Sequence, residues 1–187
     1  KMTAEPPTGE LGLSAIHDAS FMGQPNEGSQ FAYALLLSDT QIYEGKSVTH
    51  LLDWGSSLIH RKVRSTLAAE AAGSARSSDR AMYARAMIHE SEFGADATWM
   101  EMCKRIPFCL GTDCRSLYDL CMKDGSMPDE HRVALDLMDV RKGIESFGDC
   151  IRWVPTHHML VDCMTKDMKP DAMLAFLRTG IYAFEYD

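Results

Sequence analysis

The chain has 187 residues, of which 45% are hydrophobic and 25% are charged, a composition typical of one globular domain with a sizeable core. Its net charge of −8 argues against a stand-alone nucleic-acid binder, because phosphate contacts need Lys and Arg. No apolar run approaches the roughly 20 residues that cross a bilayer, and the N-terminus lacks the apolar core of a signal peptide. We therefore expect an intracellular protein that is not secreted and does not contact a membrane.

The first ten residues, KMTAEPPTGE, predict a flexible lead-in, and residues 11–187 predict a single domain. Because the sequence begins with Lys rather than Met, we expect it to be a piece of a longer polypeptide.

The first third of the domain predicts antiparallel strands. Apolar and β-branched residues dominate three segments, and a turn-rich patch, GQPNEGSQ, separates the first two, which favours a hairpin. The predictions are a strand over 11–20, a turn over 23–30, a strand over 31–39, a polar connection or short excursion over 40–50, and a strand over 51–59 that carries Trp54.

The remainder predicts helices alternating with two further strands. Ser65 is a suitable N-cap for an Ala-rich helix, whose small residues would let it approach a sheet closely. The predictions are helices over 66–74 and 77–91 (continuous, or restarting at Ser78), 98–104, 115–125, 126–148, 157–167 and 170–180, and strands over 106–113 and 150–155. This order predicts an α/β fold with a five-stranded mixed sheet, three antiparallel strands followed by two parallel ones, flanked by helices.

Four acidic residues stand in apolar or small-residue surroundings: Asp18 in LSAIHDASF, Glu70 in STLAAEAAGSA, Asp113 in IPFCLGTDC and Asp162 in HHMLVDCMTK. A charged side chain in such a setting is costly unless a cation meets it. The hypothesis is that all four converge on divalent metal ions. Any one of the 27 acidic residues taken alone is better explained as a surface residue, so the case depends on the set.

The six cysteines offer a different kind of site. They are irregularly spaced, with no C-x-x-C pair, whereas zinc sites favour closely spaced pairs. Buried free thiols explain them better than a zinc module, which would predict stoichiometric zinc in the purified protein.

Extended motifs support the set of four acids. One motif is VPTHHMLVDCMTK, in which a V-P-T stretch is followed by residues with the spacing L-x-D-x-x-T-K. In the other, Trp54 is followed by the basic segment HRKVR and then by STLAAE, so that Glu70 lies sixteen residues after Trp54. DASF at 18–21 and TDCRS at 112–116 supply the other two acids. Across roughly residues 11–178, this arrangement resembles the ribonuclease H domain of copia-type LTR-retrotransposon polyproteins.

The resemblance implies a ribonuclease H-like fold and hydrolysis of the RNA strand of RNA–DNA hybrids. It makes Asp18, Glu70, Asp113 and Asp162 the metal-binding catalytic acids. Two Mg²⁺ ions, for which Mn²⁺ can substitute, would share Asp18, with Asp162 on one ion and Glu70 and Asp113 on the other. It also implies that a reverse transcriptase domain lies N-terminal to this chain in a parent polyprotein. The protein would then be located in the cytoplasm or in a virus-like particle.

Substrate contacts are predicted around the same acids. Arg61, Lys62 and Arg64 form a basic loop that leads into the Glu70 helix, where they can contact phosphates, and Ser65 can cap the helix or touch a phosphate. His157 and His158 precede Asp162, so either is a candidate for a proton shuttle or for assisting product release; the alternative is an exposed helix-start His.

The chain departs from the family after its third acid. Cys114 and Arg115 stand where the family has Asn and Gln, which alters a substrate-contacting segment. The alternative function is therefore a degenerate or domesticated domain of the same fold that binds nucleic acid or protein without cutting.

Overall fold

The structure, a computed structural model, describes residues 9–24, 27–123 and 125–184. The lead-in predicted over 1–10 lies outside the described residues as far as residue 8. The described strands are β1 (Leu11–Gln24), β2 (Gly28–Asp39), β3 (Lys46–Val48), β4 (His50–Leu58), β5 (Phe108–Thr112), β6 (Cys150–Trp153) and β7 (Ile181–Ala183). The α-helices are α1 (Thr66–Phe93), α2 (Trp99–Arg105), α3 (Arg115–Met122), α4 (His131–Lys142), α5 (Asp162–Thr165) and α6 (Asp171–Thr179).

A five-stranded mixed sheet in the order β4-β2-β1-β5-β6 forms the centre of the fold. β1 pairs antiparallel with β2, and β2 pairs antiparallel with β4, whereas β5 runs parallel to β1, and β6 runs parallel to β5. The predicted architecture is therefore confirmed: an α/β fold whose mixed sheet has three antiparallel strands followed by two parallel ones.

Two apolar cores cover the two faces of this sheet. One core joins the α1, α3 and α4 helices to residues such as Leu13, Phe31 and Phe108. The other lies beneath α6 and β7 and includes Ile16, Leu36 and Phe176. Because successive strand residues point to opposite faces, the two sets alternate along β1 and β2.

The Ala-rich start of α1 packs closely on the sheet, as its small side chains predicted. Ala68, Ala69, Ala71 and Ala72 are all buried. A Cβ on Gly73 would lie 3.4 Å from both the His17 Nδ1 atom and the Phe31 Cβ atom, so the helix backbone is already near its closest approach. α1 runs unbroken through Ser78, which selects the continuous helix of the two alternatives.

Gly111 permits an equally close contact inside β5, two residues before Asp113. A Cβ there would lie 2.6 Å from the Ile16 Cδ1 atom and 3.1 Å from both Val154 and Phe184 side chains. The sheet can therefore pack against its second core at this point only because residue 111 has no side chain.

Several predicted boundaries were wrong. The helix predicted over 126–148 begins at His131, so that Pro128 precedes it, and it ends in a π-helical turn over Gly143–Phe147. The helix predicted over 157–167 is a 3₁₀ turn over Thr156–His158 followed by the single turn of α5. The small antiparallel sheet of β3 and β7 was not predicted, although its β3 strand falls in the segment where an excursion was allowed.

Candidate metal centre

Asp18 lies near the end of the paired part of β1, where its neighbour on β2 is Ala32. Its side chain is on the same sheet face as Ile16 and is only 1% exposed. The apolar residues that make β1 a central strand are therefore the reason that this carboxylate is held rigidly and almost without water.

Asp113 immediately follows β5, at its carboxyl end. The carboxyl end of a parallel strand is a common position for functional groups in α/β sheets. Two bonds fix the backbone here: the Trp153 Nε1 atom donates to the Asp113 carbonyl oxygen at 3.2 Å, and the Cys114 N–H donates to Thr112 Oγ1 at 3.2 Å. The Asp113 side chain is half-buried.

Asp162 is the first residue of α5 and is 2% exposed. It lies on the sheet face that carries the core of Ile16 and Phe176. One carboxylate oxygen from each of Asp18, Asp113 and Asp162 lies within 4.8 Å of the other two. The first and last of these acids are 144 residues apart in the sequence, yet all three meet near the carboxyl ends of the neighbouring parallel strands β1 and β5.

Glu70 comes from the other side of the sheet, on the second turn of α1. Ser65 caps that helix by accepting a hydrogen bond from the Ala68 N–H at 3.1 Å. The Glu70 Oε1 atom accepts from the Ala19 N–H at 3.2 Å, and Oε2 lies 3.7 Å from His17 Nδ1 without a hydrogen bond. Glu70 therefore lies near enough to feel the charges of Asp18 and Asp113 but turns its oxygens toward β1 and is not one of the three converging acids.

Two residues at the end of α5 contact the aspartates directly. The Lys166 Nζ atom donates to Asp18 Oδ1 at 3.0 Å and to Asp162 Oδ1 at 2.9 Å. The Thr165 hydroxyl donates to Asp18 Oδ2. Lys166 belongs to the T-K of the last sequence motif, which did not predict these contacts. The signal that could have identified it is its i,i+4 spacing from Asp162.

Burial and neighbouring carboxylates make Glu70, Asp113 and Asp162 resist ionisation. Burial, followed by the charges of Asp18 and Asp113, raises the pKa of Glu70 to about 9. Burial and then Asp18 raise the pKa of Asp113 to about 6, and burial also raises the pKa of Asp162. Burial lowers the pKa of His17 to about 4, so its ring is neutral near neutral pH.

A divalent cation fits this donor set. Carboxylate oxygens are the ligands that Mg²⁺ and Mn²⁺ prefer, and a bound cation would oppose the burial and the neighbouring carboxylates that raise the pKa values of Glu70, Asp113 and Asp162. The Glu70 Oε2 atom is buried without a hydrogen-bond partner, which is costly unless it finds a ligand. Asp18, Asp113 and Asp162 already converge, although Lys166 and Thr165 contact the Asp18 oxygens, whereas Glu70 would have to turn toward an ion.

The pH dependence of stability in the absence of metal follows from Glu70. Its pKa is raised from 4.5 to about 9 in the folded protein. The protonated form is therefore favoured by folding, and the stability it contributes is complete below about pH 4.5 and is lost as the pH rises toward 9. In EDTA, we expect Glu70→Gln to be more stable than the parent at about pH 8, by at least about 1.4 kcal/mol.

Urea unfolding in EDTA across about pH 7–9 measures this effect, since that range lies above the Asp113 pKa of about 6. Glu92→Gln, an exposed substitution on the same helix, is the matched control and should leave the slope of stability against pH unchanged. If the free energy of unfolding of Glu70→Gln fell with pH as steeply as that of the parent, the raised pKa of Glu70 would be contradicted.

The three basic residues of the predicted phosphate-binding loop differ in exposure and in contacts. The Arg61 guanidinium contacts the Asp136 carboxylate of α4 and is partly buried, while Lys62 and Arg64 are exposed. Ser65 is the N-cap, the better of its two predicted roles. Lys62 and Arg64 thus present their charge to solvent, whereas the charge of Arg61 is already paired.

His157 and His158 lie in the 3₁₀ turn before Asp162, with ring centroids 4.4 Å apart in an edge-to-face arrangement. His157 is exposed, and it lines a cavity of about 180 Å³ together with Asp162. His158 is half-buried and accepts a hydrogen bond at its carbonyl oxygen from Tyr182. Of the two, His157 is the one that lines this cavity with Asp162.

The six cysteines are free thiols. Within residues 9–24, 27–123 and 125–184, the candidate metal-holding group consists of aspartates, and no cysteine belongs to it.

No family model matches the chain, and no curated protein matches it. Solved structures resemble it in fold. RNase H1 from the halophilic archaeon Halobacterium salinarum NRC-1 has 14% identity and a TM-score of 0.45 over 87% of this chain and 98% of that one. LC11-RNase H1 in complex with an RNA/DNA hybrid has 9% identity and a TM-score of 0.47 over 87% and 99%. The prototype foamy virus protease-reverse transcriptase has 11% identity and a TM-score of 0.44 over 90% of this chain and 21% of that one.

In the part of the chain that the structure describes, no helix combines the length and the apolar character that crossing a bilayer requires.

Proposed function

We propose that this domain hydrolyses the RNA strand of RNA–DNA hybrids with two divalent metal ions, Mg²⁺ or Mn²⁺. The observation that carries the proposal is the convergence of Asp18, Asp113 and Asp162, from three separate elements, to within 4.8 Å, with Asp18 and Asp162 almost fully buried. Mutually repelling carboxylates are costly to hold together, and a bound cation removes that cost.

Each acid has a distinct part in this proposal. Burial and the charge of Asp18 raise the pKa of each of the other three acids, so we propose that two ions would share Asp18, with Asp162 on one ion and Asp113 and Glu70 on the other. Metal ions bound there supply positive charge to both the entering and the departing oxygen of a phosphodiester displacement. The protein holds Asp18 and Asp113 on strands and thereby fixes their positions before substrate arrives.

Lys62 and Arg64 are the best candidates for contacts with the phosphates of a hybrid, because both are exposed and both lead into the helix of Glu70. Such contacts position a duplex without reading its sequence. Arg61 would join them only by leaving Asp136, so we propose that it orders the loop instead. Between the two histidines, we propose His157 for the proton shuttle or for product release, since it shares a cavity with Asp162.

The sequence motifs extend the proposal to the parent protein. We propose that the chain is the ribonuclease H part of a copia-type retrotransposon polyprotein, that a reverse transcriptase domain precedes it, and that it works inside the cell. The support for this context is the resemblance at the four motif segments.

The second candidate is a domain that binds without cutting. The observation that favours it is that Lys166 already neutralises Asp18 and Asp162, as it would in a domain that had lost its metals. The altered residues Cys114 and Arg115, next to Asp113, point the same way.

A cleavage assay separates the two candidates. The purified chain is incubated with a labelled RNA–DNA hybrid and Mg²⁺, and EDTA and an RNA–RNA duplex serve as controls. Catalysis predicts Mg²⁺-dependent cutting of the RNA strand in the parent and none in Asp113→Asn. Binding of the hybrid without cutting, in parent and variant alike, would establish the second candidate.

A further inference from the structure

Lys166 holds a position among the acids that a metal ion would be expected to take. Its ammonium group lies 3.0 Å from Asp18 Oδ1 and 2.9 Å from Asp162 Oδ1, and so bridges two carboxylates that come from different elements. The two acids are 1% and 3% exposed in their side chains, whereas the Lys166 side chain is 41% exposed. The lysine therefore enters the cluster from its solvent-facing mouth.

Thr165 contacts the second carboxylate oxygen of Asp18. Its hydroxyl donates to Asp18 Oδ2, so both oxygens of that carboxylate accept hydrogen bonds from the last turn of α5 and the residue after it. A divalent ion that uses Asp18 as a ligand therefore competes with these donors for the lone pairs of its carboxylate.

An ammonium group and a divalent ion cannot share the same oxygen pair. Both need the Asp18–Asp162 gap, and two positive charges a few ångströms apart repel strongly where little water is present. The side chain of Lys166 is flexible and leads outward, so displacement toward solvent requires no change in the sheet.

We infer that Lys166 is an internal substitute for the metal: its ammonium group holds the acids together when no divalent ion is bound, and metal binding has to displace it. This inference rests on the proposed metal centre, and it assigns to that centre an affinity set by competition within the chain. The short helix α5 presents the competitor, because the i,i+4 spacing brings Lys166 back over Asp162.

The test is Mn²⁺ binding measured by isothermal titration calorimetry, without substrate, at about pH 8, where carboxylates outside buried clusters are ionised. Lys166→Met and Lys166→Gln remove the competing charge. We expect each to bind Mn²⁺ about tenfold more tightly than the parent, which corresponds to the loss of one charge-assisted hydrogen bond. The matched control is Lys169→Met, an exposed lysine three residues further on, which makes the same change in net charge.

Thermal unfolding gives a second readout. In EDTA, the two Lys166 variants should be less stable than the parent, because the acids lose their cation, and millimolar Mn²⁺ should raise their melting temperatures by more than it raises that of the parent. A lysine with only a structural role would lower stability in both conditions and leave Mn²⁺ affinity unchanged.

Three results would overturn the inference. One is Mn²⁺ affinity in the Lys166 variants equal to or weaker than that of the parent, or raised no more than in Lys169→Met. Another is failure of both Lys166 variants to fold in saturating Mn²⁺. The third is the absence of Mn²⁺ binding in every variant. Hybrid cleavage by the parent is scored separately, so tighter binding in the variants alongside an inactive parent would uphold this inference and reject only the proposed catalysis.

Discussion

Replacing Asp18 by Asn is expected to reduce Mg²⁺-dependent cleavage of an RNA–DNA hybrid by at least about 10³-fold. Asp18 is the acid that the other groups surround: it accepts hydrogen bonds from Thr165 and Lys166 and lies within 4.8 Å of both other aspartates. Asn keeps the shape of the side chain but removes the charge that two ions would share. Single-turnover cleavage, with protein in excess over hybrid, measures the chemical step.

The control for Asp18→Asn is Asp96→Asn, which removes one negative charge from an exposed position after the end of α1. It should cleave at a rate within about twofold of the parent, because charges separated by more than a Debye length are screened. Urea unfolding in EDTA establishes that Asp18→Asn is folded. A folded Asp18→Asn protein that cleaves at nearly the parental rate would mean that the aspartate cluster is not the catalytic centre.

Replacing Arg85 by Met is expected to lower the free energy of unfolding by about 3–5 kcal/mol, the usual cost of leaving one member of a buried ion pair alone. Arg85 is completely buried in the middle of α1. Its Nε atom donates to the Ile106 carbonyl oxygen at 2.8 Å, and its guanidinium contacts both oxygens of Asp149, at 3.3 Å in one case. This pair ties α1 to the start of β6, on the far side of the domain from the aspartates.

Urea unfolding of three variants tests this prediction. The double variant Arg85→Met/Asp149→Leu should recover part of the loss, since it removes the unpaired carboxylate as well. The exposed pair Arg115–Asp119 is the matched control, and Arg115→Met should cost less than about 1 kcal/mol. A loss in Arg85→Met no larger than that of Arg115→Met would contradict the role of the buried pair.

Long, strongly patterned segments were predictable from the sequence. β2 and β5 are continuous apolar runs because each is covered on both faces, and the small residues of α1 indicated its close packing on the sheet. The β3–β7 sheet was missed because each strand has three residues, and the two strands are more than 130 residues apart. No local sequence pattern indicates a pairing between two strands that are so short and so far apart.

The segment before Asp162 shows where periodicity misleads. Residues 157–167 are apolar enough to favour one helix, yet Met159, Leu160 and Val161 are all almost fully buried. Three consecutive residues of a helix point in directions about 100° apart and cannot all face one core. The chain therefore leaves the 3₁₀ turn, buries these three side chains in an irregular stretch, and begins α5 only at Asp162.

The aspartates of the centre were predictable, but their partners were not. Asp18 and Asp113 were identified as members of a set of four acids in apolar surroundings, supported by the four motif segments. The contact of Arg61 with Asp136 and the turning of Glu70 toward His17 depend on which helices lie side by side. Such contacts follow from tertiary packing, and a single sequence does not encode them locally.

The convergence of the acids on divalent metal is tested most directly by a crystal of the parent protein soaked in Mn²⁺ and measured at a wavelength where manganese scatters anomalously. Ions should be found against the carboxylates of Asp18, Asp113 and Asp162, with Lys166 moved away and Glu70 turned inward. A fully soaked crystal with no manganese at these carboxylates, and with Lys166 still bridging Asp18 and Asp162, would contradict the assignment of a metal centre.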